Sequence, residues 1–151
     1  MVKKRFKNRG RFFLIILFVI LIILIRTLEN HLFYDPFLVF FKSDYQNRVL
    51  PNYNGIQLFF GLLLRYGLNT IFSLVLIFLL FKERKIIVFL TWLYFIFFII
   101  LITIFFGILA LDDNPNYLVL FYIRRFLIQP LFLILFVLAF YYQKMKNNSL
   151  P

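Results

Sequence analysis

FYIRRFLIQPLF, residues 121–132, places two adjacent arginines, a glutamine and a proline inside an apolar run that extends over 118–142. The run is long enough to cross a bilayer, since ~30 Å of hydrocarbon takes about 20 mostly apolar residues in a helix. Charge within such a segment is expensive, so it marks a contact, a site or a helix end. Deciding among these starts with the rest of the chain.

The 151 residues are 64% hydrophobic and include 24 Phe against 5 Gly and 5 Pro. Soluble domains are roughly half apolar, so a chain of this size must find much of its solvent in lipid. Three further apolar runs meet the length criterion, at about 12–33, 56–81 and 86–111. The expected fold class is therefore all-α integral membrane. It is a four-transmembrane-helix bundle in one membrane domain, 1–151, with an outer loop at 34–55.

The net charge is +11, and its distribution follows the membrane rather than a nucleic acid. Lys3, Lys4, Arg5, Lys7, Arg9 and Arg11 precede the first run; Lys82, Arg84 and Lys85 fill the turn after the second. Lys144 and Lys146 follow the fourth, whereas the opposite side carries a balanced loop and the acidic turn DDNPN, 112–116. The positive-inside rule then puts both termini in the cytoplasm. The basic start followed by FFLIILFVILIILI is also the pattern of a secretory signal, but no small-x-small cleavage site follows. The segment is read as an uncleaved first helix. In the outer loop, YDPF and LPNYNG are turn chemistry, and FLVFFK between them reads as an amphipathic turn at the interface; the loop as a whole reads as surface rather than as a substrate lid.

Two polar stripes stand out. Gly61, Arg65, Asn69 and Ser73 recur every four residues and share a helix face, which should meet protein because lipid offers no hydrogen-bond partners. Tyr122, Arg125 and Gln129 share a face of the fourth run, with Arg124 about 100° away. Arg65 and Arg125 lie at matching depths, about 13 Å and 10 Å from the outer side. Both stripes together predict one polar site of Arg65, Asn69, Arg125 and Gln129, with Arg124 in a separate, weaker contact. Two guanidiniums in low dielectric need an anion between them. Glu29 is a possible internal counter-charge, alongside Asp35, Asp112 and Asp113; an external anion, a lipid phosphate or a partner's carboxylate, is favoured because one Glu cannot neutralise both. Pro130 cannot donate to the Phe126 carbonyl and should kink the helix, opening a notch.

Reactive chemistry is sparse. There is no Cys, which removes disulfides, thiolate metal sites and Cys nucleophiles. His31 is the only histidine and reads as a solvated interfacial residue. The Asp112–Asp113 pair is better explained by a helix-ending turn than by a metal, and Ser73 has no base at its depth. The residues support no enzyme, no cofactor and no metal site.

RYGLNTIFSL (65–74), FYIRRFLIQPLFLILFVLAFYYQK (121–144) and FYDPFLVFFKSDYQNRVLPNYNG (33–55) resemble the exosortase F-associated membrane proteins of flavobacteria. The resemblance extends over most of the chain, and the RRFLIQP block is its most specific element. It implies an inner-membrane accessory protein of an exosortase-type sorting system, with an exosortase or its substrate as partner. An exosortase itself requires a catalytic Cys, which this chain lacks. The competing expectation is a small structural subunit of a respiratory or other large membrane complex, with membrane lipid as its solvent in either case.

Overall fold

The computed structural model describes residues 2–43, 49–111, 115–129 and 131–149. Among these residues seven helices follow in order: α1 Val2–Thr27, α2 Glu29–Leu32, α3 Pro36–Lys42, α4 Gly55–Phe81, α5 Arg84–Leu111, α6 Tyr117–Ile128 and α7 Leu131–Ser149. Among the described residues there is no strand. Within α1, Arg9–Thr27 is long and apolar enough to cross a membrane, as are α4 and α5; α6 and α7 together meet the criterion as one bent pair. The chain is a multi-pass membrane protein.

Local sequence explains where these helices start and stop. Asn54 caps α4, its side-chain oxygen accepting from the amides of Ile56 and Gln57 at 3.1 and 3.3 Å. Asn116 does the same for α6 through Leu118 and Val119. Lys82 takes a left-handed conformation, φ 59°, and closes α4 immediately before α5 begins. Pro36 opens α3, where its missing N–H has no partner to lose.

α4 is the hub, packing against α1, α5, α6 and α7. Its inward face carries Leu58, Gly61, Leu62, Arg65, Tyr66, Asn69, Ser73, Leu76 and Ile77. The small-polar stripe does face protein. α1 lies along α4 in the opposite direction: Arg11 donates to the Leu79 carbonyl and, through Nη2, to the Leu80 carbonyl at 2.8 Å. Those carbonyls belong to the last turn of α4, which otherwise leaves them without partners.

The first apolar run does not behave as one span over 12–33. α1 ends at Thr27, and Arg26 in its last turn lies beside Arg65 and Asn69. From Arg11 to Arg26 is about 23 Å of helix, matching Leu80 to Arg65 on α4. α4 then continues to Gly55, about 15 Å further. Residues 28–42 fill the space that α1 leaves beside this outer third.

That filling corrects the reading of FLVFFK as an interfacial turn within a surface loop. Phe37, Leu38 and Phe40 of α3 are buried, Phe37 completely. The Phe37 ring lies 5.8 Å from Phe105 and 5.5 Å from Tyr53, and Phe40 lies 5.6 Å from Tyr117. Three closely spaced aromatic rings on a seven-residue helix bury more apolar area than a solvated loop could justify leaving out. Gly61 makes the close approach possible: a Cβ there would fall 2.5 Å from the Tyr34 carbonyl oxygen.

The fourth apolar run is likewise broken. α6 and α7 meet at 64°. Pro130, at which the sequence places the kink, lies outside the described residues, as do Asp112 and Asp113. The Ile128 carbonyl at the end of α6 accepts from Asn69 Nδ2 at 3.0 Å. This satisfies a carbonyl that apolar surroundings would otherwise leave unpaired at a cost of about 1–3 kcal/mol.

Candidate functional site: a buried charge ladder and the notch beside it

The ends of α1 and α6 and the middle of α4 meet at one depth, and the charged residues collect there. Glu29, 12% exposed, pairs with Arg65 through Oε2 and Nη2. Asp35 accepts from Arg124 through Nη2 at 2.5 Å and Nε at 3.1 Å, and its Oδ2 lies 3.7 Å from Arg65 Nη1. Lys42 Nζ stands 3.8 Å from Glu29 Oε1 on the exposed side. The result is an alternating ladder, Lys42–Glu29–Arg65–Asp35–Arg124. It links the residue 28–42 segment to α4 and α6.

Charge alternation is what makes the burial tolerable. A lone guanidinium in hydrocarbon costs ~2.5–3.5 kcal/mol on insertion scales. Here Asp35, with 3% side-chain exposure, serves two arginines at once, and Phe41 lies under Arg124 with its ring centroid 5.8 Å from Cζ. Arg65 Nε and Nη1 are the exceptions, buried donors without a hydrogen bond among the described residues.

This geometry corrects the expected pairing of arginines. Arg124, not Arg125, shares the ion-pair cluster with Arg65. The buried residues of α6 are Leu120, Arg124, Leu127 and Ile128, spaced as one helical face; Arg125 is turned about 100° from that face and is exposed. Its Nε donates to Gln129 Oε1 at 3.0 Å, so Arg125 and Gln129 do act together, away from the buried face of α6. Tyr122 is exposed as well. The anion inside the cluster is also internal: Glu29 and Asp35 are in place, whereas an external anion was expected between the arginines. Asp35 is among the counter-charges the sequence offers, but no helical period relates a linker residue to two helices, so its place between the arginines is not legible there.

Beside the ladder is a cavity of about 120 Å³. Its walls are Ile22, Ile23, Ile25 and Arg26 of α1, Arg65 and Asn69 of α4, and Ile128 with Gln129 at the break. Arg26 is the residue that spacing did not single out; its signal is a cation at the end of an apolar run, three positions before Glu29. A wider depression of about 470 Å³ lies on the outer side, with Tyr34, Asp35 and Lys42 among its walls. His31 is exposed. Among the described residues no three His, Cys, Asp or Glu side chains converge to hold a metal ion.

No family model, curated protein or solved structure matches the chain.

Proposed function

We propose that the protein is a non-catalytic accessory protein of a bacterial inner membrane, with four spans and both termini in the cytoplasm. In this reading it serves an exosortase-type protein-sorting system, and its outer-leaflet arginines recognise rather than react. The resemblance of the RRFLIQP block and of the outer segment supplies the sorting context. The basic residues before α1, between α4 and α5 and after the fourth run supply the orientation.

One observation carries the recognition role. The buried arginines are engaged by Glu29 and Asp35, while Arg26, in the wall of the notch, and Arg125, bonded to Gln129 of that wall, are exposed. The ladder is thus a structural staple, and the notch is the surface on which a partner or an anion can act.

The test is affinity purification of the full chain after mild extraction, with mass spectrometry of what accompanies it. An exosortase or a protein with a C-terminal sorting segment is the expected companion, lost in an Arg26→Gln, Arg125→Gln variant. Recovery of respiratory-complex subunits instead would favour the structural-subunit alternative and sink the sorting role.

A further inference from the structure

The notch between α1, α4 and the α6–α7 break is where charge meets hydrocarbon. Arg26 is level with Arg65 and Asn69, about 15 Å below the outer end of α4. Arg125 lies about 12 Å inside the start of α6. Both are exposed, and among the described residues neither meets a carboxylate. Arg125 instead holds Gln129, which lines the cavity. Behind them Arg65, 2% exposed, lines the same cavity, its Nε and Nη1 without a hydrogen bond among the described residues.

The local charge does not balance. Glu29 and Asp35 are already shared among Arg65, Arg124 and Lys42, so among the described residues Arg26 and Arg125 have no carboxylate of their own. Arginines at this depth extend toward the interface and draw phosphate inward to meet them. Basic pockets between membrane helices bind anionic headgroups for this reason. The remaining wall is apolar, and Ile23, 54% exposed, opens it sideways onto the surface that acyl chains cover.

We propose that this notch is a phospholipid site. The phosphate of an anionic phospholipid of the phosphatidylglycerol type seats between Arg26 and Arg125, with the Gln129 amide and Arg65 as further donors. Its acyl chains run along the isoleucines of α1. The pair of cations selects an anionic lipid over a zwitterionic one, whose own cation they repel. The apolar wall distinguishes a lipid phosphate from a free one. This inference rests on the reading of the notch as the recognition surface, and it names the occupant.

Native mass spectrometry of the full-length protein, titrated with phosphatidylglycerol or phosphatidylcholine of identical chains, tests it. One phosphatidylglycerol per chain should be retained at least about tenfold more tightly, the effect of one charge-assisted hydrogen bond. An Arg26→Gln, Arg125→Gln variant should lose that preference, and Lys82→Gln, Arg84→Gln, at the other end of the bundle, should keep it. Gln129→Leu gives a second reading if the double variant does not fold: it should weaken phosphatidylglycerol retention and leave phosphatidylcholine unchanged.

Equal retention of the two lipids, or unchanged preference in the double variant, would overturn the proposal. So would displacement by equimolar inorganic phosphate. A sorting-segment peptide that displaces the lipid through its free carboxylate, where its amide does not, would also overturn it but leave the recognition reading standing. Loss of lipid with undiminished partner co-purification would support the lipid site and sink the docking role instead.

Discussion

Asp35 and Arg124, 89 positions apart in the chain, are joined by a two-pronged contact: Nη2 to Oδ2 at 2.5 Å and Nε to both carboxylate oxygens at 3.1 and 3.3 Å. The contact ties the linker after α1 to α6. Arg65 approaches the same carboxylate from α4, so one small side chain organises three parts of the bundle.

Asp35→Asn should therefore be severely destabilising. It keeps the shape but leaves two buried guanidiniums with Glu29 as their sole remaining carboxylate in the ladder, and breaking a buried pair typically costs about 3–5 kcal/mol. Lys42→Gln, at the exposed end where the side chain is 61% open, should change stability by less than about 1 kcal/mol. Thermal unfolding of both variants in the same detergent checks the contrast; equal effects would mean that the ladder does not hold the fold.

The two adjacent arginines should separate cleanly. Arg124→Gln is expected to lower stability by about 3 kcal/mol or more, because Asp35 would lose its two-pronged partner. Arg125→Gln should stay within about 0.5 kcal/mol, as a surface change does, while reducing retention of anionic lipid. A melt of each variant, with lipid retention measured on the same samples, decides. Comparable destabilisation by both would refute the helical phase described for α6.

Glycine substitution on α4 offers a test of the plugged outer end. Gly61→Ala puts a methyl 2.5 Å from the Tyr34 carbonyl oxygen, and the backbone of the linker must move; a loss of about 1–3 kcal/mol follows. Gly67→Ala, with nothing within 4 Å of its added Cβ, should instead stabilise by up to ~1 kcal/mol through helix propensity. Parallel melts of the two variants would disprove the Tyr34 contact if Gly61→Ala behaved like Gly67→Ala.

Orientation can be read with reporter fusions. Fusions after Lys85 and after Lys146 are expected to report cytoplasm, and one at Asn52 the periplasmic side, from the bias of Lys and Arg. A periplasmic signal after Lys146 would show that the α6–α7 pair turns back instead of crossing.

The sequence by itself determined the solvent and the long helices. Apolar runs of bilayer length, Asn54 and Asn116 as caps, and the Gly61–Arg65–Asn69–Ser73 stripe all act locally, through backbone geometry and helical period. It also marked 121–132 as the exceptional stretch, and α6 does end there. Which of Arg124 and Arg125 points inward was a matter of helical phase against a partner, and Arg125 had the better match in depth but the wrong face. Only the tertiary structure shortened α1, buried Phe37 and brought Asp35 between Arg65 and Arg124. The reason is physical: a periodic pattern relates residues within one helix, whereas a linker carboxylate meets its arginines through the packing of three separate segments.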